Sequence, residues 1–448
     1  MRRVRILQIG DIHYPDWNLT PSEIDEKDRK FAPSITSSIR GSAFRSVLKK
    51  LGQLASSDSV HGIIFVGDFT TRGQSEFLEG AFQHFSLLCR STGVSSRTVP
   101  IAFVPGNHDV NRQDALDLGP TEKFRRMSEL AQKFGWQSVP LNIPVTYSIE
   151  GFGGSVDVTL LNTAIGSWAL QNLPEYLRDK LKVADTTSEP IDLGSTATGD
   201  GAPAAPPPTT VASPPTNLVD QYYGQLDTPY VSDQMLAGLL DRLRERSVTY
   251  GIVVGHHNLL PQKTPRISPY AEVLNAGFVR HQLLSTNKPI LYLHGHIHQD
   301  PVEIVSDPRQ QNSKIVLISA PEIRNGFNEL ILFLTDQDEF VGLRLIPHRS
   351  KVSDGALYED EHCFISMMPN FRASLDEKTF GLLQQLKEHR AKRGKDLLYW
   401  NELHGLSSAE MQDDALEDAL LMLHSAQEIE IDGLNKPTRD WRIQIKGL

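Results

Sequence analysis

Five apolar runs in this chain end the same way, in a glycine followed at once or one residue later by a carboxylate, an amide or an imidazole. Val4 to Ile9 alternates and is rich in β-branched residues, which predicts a strand. Gly10 then lets Asp11-Ile12-His13 leave its tip. The run HGIIFV ends in Gly67-Asp68, and the run through Phe103 ends in Pro105-Gly106 before Asn107-His108-Asp109. YGIVV ends in Gly255-His256-His257, and PILYLH ends in Gly295-His296-Ile297-His298. Between these runs, apolar residues recur at helical spacing over Ala43–Leu54, Glu76–Leu88, Glu122–Phe134 and Ser232–Glu245. Pro144 to Asn162 reads as two strands about the Gly151–Gly154 turn, and residues 314–348 read as three more. Strands alternating with helices predict an α/β fold, in which polar residues at strand tips form the site.

Two stretches break the pattern. Tyr14 to about Ser42 is polar and irregular and is expected to be a long loop beside the site. Residues 182–217, with the run ATGDGAPAAPPPTTVASPPT, cannot bury a core and read as an exposed insertion within one domain. The α/β pattern closes near residue 350, and 351–375 is expected to link. Within 376–448, Phe380–His389, Leu397–Leu403 and Asp413–Ser425 read as three helices, and EIEIDGL with DWRIQIK as a hairpin. Helices followed by a hairpin are the order of a winged-helix unit, giving domains at 1–350 and 376–448.

Composition narrows the class. With 448 residues, 39% hydrophobic and 22% charged, the chain has material for a full core and more than one unit. A formal charge of −10 disfavours broad capture of nucleic acid or anionic membrane. Cys89 and Cys363 lack metal-type spacing, so free thiols in a reducing compartment are expected. The strand-like start and the lack of any 18-residue apolar stretch lead to the expectation of a cytoplasmic protein without membrane contact.

The chemistry lies in the strand tips. Asp11 and Asp68 at neighbouring buried tips would repel unless a cation held them. In D-x-H and H-x-H, alternate residues of an extended segment point the same way, so both can reach one metal cluster. An Asn carbonyl is a neutral metal ligand, and His108 beside it can handle a proton. Arg112 reads either as a phosphate contact or as a solvated loop residue. His294 has no assigned role.

Together, Asp11-x-His13, Gly67-Asp68, Gly106-Asn107-His108-Asp109, Gly255-His256 and Gly295-His296-x-His298 resemble the calcineurin-like metallophosphoesterase superfamily over residues 4 to 350. The resemblance implies a four-layer α/β/β/α sandwich, here followed by the small α+β winged-helix-like domain. It implies two divalent ions, Mn foremost, with Fe, Zn, Ni or Co as other choices. Asp11, His13 and His298 would hold the first, Asn107, His256 and His296 the second, and Asp68 would bridge. His108 would stand near the leaving group, with Asn107 beside it as the second catalytic residue. His257 and Arg112 are candidate substrate contacts.

GDFTTRGQSEF is similar to the bacterial cyclic-nucleotide phosphodiesterase branch, whereas Asp109 and Thr71-Arg72-Gly73 depart from the protein phosphatases. Asn162 stands where many relatives carry an Asp, at a position that is not a ligand. The expected function is therefore hydrolysis of nucleotides or other small phosphoesters by a metal-bridging hydroxide, as a phosphodiesterase or phosphatase, with phosphodiesterase ahead of protein phosphatase. The alternatives are a DNA nuclease of the repair type and a catalytically silent regulatory or scaffold module. Residues 376–448 carry 14 acids against 10 bases, so the tail is expected to contact protein or a second copy rather than nucleic acid.

Overall fold

The computed structural model describes residues 1–15, 43–55, 59–91, 99–178, 227–261, 272–298, 301–310, 313–350, 357–367, 375–394, 396–406 and 411–446. The insertion at 182–217, nearly all of the expected loop after Tyr14, and parts of the expected linker lie outside them.

Two sheets organise the described residues up to Met367. One contains β1 (Arg2–Ile9), β2 (Gly62–Phe65), β3 (Ile101–Phe103), β10 (Gly326–Leu334), β11 (Phe340–Ser350), β12 (Leu357–Glu359) and β13 (Cys363–Ser366). The other contains β4 (Val145–Gly151), β5 (Gly154–Leu160), β6 (Gly251–Val254), β7 (Pro289–His294), β8 (Val302–Ser306) and β9 (Lys314–Ser319). The first has the order β12-β11-β10-β1-β2-β3, with β13 also on β11, and the second β4-β5-β6-β7-β9-β8. Pairing is parallel from β1 to β3 and from β5 to β9 along the sheet order, and antiparallel outside those blocks.

Alternation along each strand sorts side chains between two cores. Ile6, Ile64 and Ala102 of the first sheet share one apolar cluster with Val158, Ile252 and Leu291 of the second. Their neighbours Leu7, Ile63 and Phe65 pack instead with helix residues. These come from α1 (Ala43–Ala55), α2 (Ser75–Ser91) and α4 (Arg125–Phe134), after the short α3 (Arg112–Asp117). Tyr292 and Ile290 do the same with α5 (Asp233–Arg244) and α6 (Ala276–Ser285). Strands covered on both faces are uniformly apolar, as β2 and β6 are, because water reaches neither side.

The helix boundaries follow local chemistry. Ser232 caps α5 by accepting the Met235 N–H, and Gly135 ends α4 in the left-handed region at φ 72°. Two expectations are corrected. The stretch 351–375 is not a plain linker, because β12 and β13 within it pair with β11. Leu397–Leu403 is not one helix: Leu397–Tyr399 is a strand, β14, with only Leu398 buried, and the helix α8 runs Trp400–Leu406.

The C-terminal part has the order α7 (Glu377–Arg393), β14, α8, α9 (Asp413–Ser425), β15 (Ile429–Asp432), β16 (Arg442–Ile445). Its strands form a separate sheet, β14-β16-β15, antiparallel throughout. Leu386, Leu416, Leu420 and Trp441 form its core, which Phe333 and Val341 of the first sheet complete. Charge fixes the same contact, with Arg3 on Asp418 at 2.6 Å and Arg344 on Glu417 at 2.7 Å.

Candidate metal centre

Every expected metal ligand, together with His108 and His257, stands just past the C-terminal end of a parallel strand, whereas Arg112 opens the helix α3: Asp11 and His13 follow β1, Asp68 follows β2, and Asn107 and His108 follow β3. His256 and His257 follow β6, and His296 and His298 follow β7. The chain turns sharply there. Asp11, His13, Asp68, His296 and His298 all take left-handed backbone conformations, with φ between 45° and 69°. L side chains adopt that region at a cost, and clusters of such residues mark functional sites. The preceding glycines have a steric reason. A Cβ on Gly67 would lie 2.3 Å from His256 Nδ1, and one on Gly106 would lie 2.2 Å from Asp68 Oδ1.

Two groups of donor atoms converge. Asp11, His13, Asp68 and His298 each place a ligand atom within 4.8 Å of the others, and so do His256, His257 and His296. His13 Nε2 lies 3.3 Å from His298 Nε2, which is 3.5 Å from Asp11 Oδ1. Asp68 joins the groups, since its Oδ2 is 3.3 Å from His256 Nε2. Asn107 Oδ1 approaches the same nitrogen at 3.1 Å.

Hydrogen bonds decide which ring nitrogens are free. His256 Nδ1 donates to the Val66 carbonyl at 2.7 Å, which turns its Nε2 lone pair toward two oxygen acceptors. Three lone pairs pointing at one another are resolved by a cation, so these residues fit a metal. Without one, a proton takes that place. Burial opposes charge on His256, but the adjoining Asp68 carboxylate overrides it and pushes the imidazole up to about 10. Asp68, although burial works against its charge, is held well below the usual carboxylate range by His256, His108 and His13. The mixed set of imidazole, carboxylate and amide donors suits borderline divalent ions.

His257 is different. Thr163 Oγ accepts the backbone N–H groups of His256 and His257 at 3.3 and 3.1 Å, which uses both its lone pairs. Its O–H must then donate to His257 Nδ1 at 2.8 Å, while His257 Nε2–H faces Asp227 Oδ2 at 3.3 Å. Neither nitrogen is left for a metal. His257 is also wholly buried, with its ring 4.5 Å from that of His296, so it supports the site from behind. This departs from the expected substrate contact.

His108 Nδ1 donates to the Thr71 carbonyl at 2.9 Å, leaving Nε2 as its free nitrogen. Its ring stands edge-on to that of His13 with 4.9 Å between centres. Burial disfavours its charge, yet Asp68 and the Thr71 carbonyl raise its affinity for a proton. Asp68 Oδ1 also accepts the His108 backbone N–H at 2.9 Å. Asp109 ties the loop, accepting from Gly106 N at 2.9 Å and Thr70 N at 2.8 Å. His294 is buried beneath the site, and burial lowers its pKa to about 4. Asn162 serves a turn, accepting from Ala164 N at 3.0 Å.

Arg112 lies over the Trp168 ring at 4.3 Å, and both line a cavity of about 410 Å³ that reaches Asn107 and His108. Trp168 Nε1 donates to the Asn107 carbonyl at 2.6 Å. Sequence reading missed Trp168, Thr71, Thr163 and Asp227. Only Thr163, in LLNTA at the end of β5, stood where a strand-tip pattern could have flagged it.

Among solved structures, the chain is similar to a dimetal phosphatase from Danio rerio, at 12% identity over 81% of this chain and 99% of that one, with a TM-score of 0.45. It is similar to PhoD at 9% identity over 82% and 70% of the two chains (TM-score 0.44). For a 5′-nucleotidase precursor from Thermus thermophilus the figures are 11%, 88%, 68% and 0.39. No curated protein matches the chain. The sequence profile of the calcineurin-like phosphoesterase family matches residues 4–189, which contain Asp11, His13, Asp68, Asn107 and His108. Over residues 4–189, the chain is therefore similar to the calcineurin-like phosphoesterase family.

Proposed function

We propose that this chain is a dinuclear-metal phosphoesterase that hydrolyses nucleotides or other small phosphoesters, phosphodiesters ahead of phosphomonoesters. The observation that carries the reading is Asp68: one buried carboxylate faces both groups of donors, while its other oxygen holds the backbone of His108. Asp11, His13 and His298 would hold one ion and Asn107, His256 and His296 the other, with Asp68 between them. Two divalent ions, Mn foremost, supply Lewis acidity and lower the pKa of water when bound.

The chain's own residues do the rest. Val66 and Thr71 carbonyls fix the tautomers of His256 and His108. His108, whose proton affinity is raised, would donate from Nε2 to the departing oxygen. The cavity beside it, of about 410 Å³, has room for a small organic group.

We read the two sheets and their helices as an α/β/β/α sandwich, and residues 376–448 as a winged-helix-like unit. The β14-β16-β15 order supports the latter. Its third helix, α9, turns Glu417 and Asp418 onto Arg344 and Arg3 of the first domain, which favours protein contact over a DNA groove. The full chain, stripped of metal and reloaded with Mn²⁺, should be assayed on an aryl phosphodiester, an aryl phosphomonoester, cyclic nucleotides, and single-stranded and duplex DNA. Turnover of the small esters is expected. Cleavage of DNA alone would favour a nuclease, and no turnover at all would favour a silent module.

A further inference from the structure

The cavity beside His108 has a charge of its own. Arg72, Gln74, Asn107, His108, Arg112 and Trp168 are among its lining residues, and among the described residues that lining contains two guanidiniums and no carboxylate. In a chain of formal charge −10 this is a local reversal of sign. Both arginines adjoin residues that set the geometry of the centre. Arg72 follows Thr71, whose carbonyl orients the His108 ring. Arg112 stacks on Trp168, which is in turn hydrogen-bonded to the Asn107 backbone. Asn111, also in the lining, is neutral and turns its Oδ1 to the N–H groups of Gln113 and Asp114. A stacked guanidinium is ordered in advance and loses little freedom when it takes a second partner.

We propose that this cavity is the leaving-group subsite and that it selects phosphoesters whose leaving group carries a negative charge of its own, a second phosphate or a carboxylate. The inference rests on the phosphoesterase reading and on His108 standing on the leaving-group side. In the reaction, water oxygen bonds to phosphorus and the P–O bond to the leaving group breaks. The departing oxygen takes a proton from His108, which a proton released by the water replaces. The second anionic group stays intact and is held by Arg72 and Arg112. A cyclic nucleotide, whose departing oxygen remains on the same ring with no second charge, is then turned over more slowly than such an ester.

The test uses the full chain loaded with Mn²⁺ and four substrates followed by chromatography: an aryl phosphodiester, dithymidine monophosphate, and that dinucleotide phosphorylated at its 5′ or its 3′ end. Hydrogen bonds to a charged group predict an internal-linkage kcat/KM about tenfold higher for at least one phosphorylated form, mainly through KM. Arg72→Ala with Arg112→Ala should shrink that preference to less than about twofold, while Arg72→Lys with Arg112→Lys keeps part of it because the charge remains. Equal rates on all three dinucleotides would overturn the proposal. So would cleavage of the aryl diester with none of the dinucleotides. Failure to cleave any of the four would instead sink the phosphoesterase reading, and the inference with it.

Discussion

Replacing Asp68 with Asn changes charge and almost nothing else. The amide can still accept the His108 N–H that Oδ1 now takes at 2.9 Å, and it fits the same space at a site 1% exposed. What is lost is the one carboxylate that meets both donor groups. At a metal concentration one hundred times the dissociation constant, each bound ion adds about 2.7 kcal/mol to stability. A hundredfold loss of affinity cuts that to about 0.4 kcal/mol at the same concentration. Since Asp68 serves both groups, the substitution should remove about 4–5 kcal/mol of metal-linked stability. His108→Gln is the control. His108 belongs to neither donor group, so it should keep that stability while the rate falls about 10²- to 10⁴-fold. Urea unfolding of the stripped chain with and without Mn²⁺, beside turnover of an aryl phosphodiester, measures both. Equal loss of metal-linked stability in the two variants would refute the reasoning, as would its retention in Asp68→Asn.

Three further outcomes are expected. Gly67→Ala puts a methyl 2.3 Å from His256 Nδ1 at a φ of 98°, and should cost at least about 2 kcal/mol and weaken Mn²⁺ binding; an unchanged urea midpoint would count against the packing described. Thr163→Val leaves the buried N–H groups of His256 and His257 unpaired, and should cost about 2–3 kcal/mol by the same measurement. His84, buried in the first core, has its pKa pushed down by burial to about 4. Its unfolded pKa is near 6.5, so the unfolded chain takes up the proton first. The contribution is whole above about pH 6.5 and falls by about 3 kcal/mol as pH drops to about 4. His84→Leu should therefore flatten the acid limb of stability against pH, and parallel limbs in the two proteins would contradict this.

Much of this molecule is legible in its residues because the relevant causes are local. The strand-tip glycines and their polar followers, the helix capped at Ser232, and the hairpin about Gly151–Gly154 each depend on neighbours a few positions away. Hydrophobic period and turn chemistry are sufficient there. Where the period was short, it misled: Leu397–Tyr399 looked helical, yet it pairs with β16, residues 442–444. Strands β12 and β13 were hidden for the same reason, being three and four residues long and, among the described strands, paired with β11 alone.

The sequence by itself determined which side chains could ligate a metal and that they leave the ends of buried strands. Tertiary structure alone decided how they are held. Val66, which selects the His256 tautomer, is 190 residues from it, and Trp168, which braces Asn107, is 61 away. Such pairings carry no local signature, because they arise only when parallel strands distant in the chain lie side by side and bring their tips to one edge.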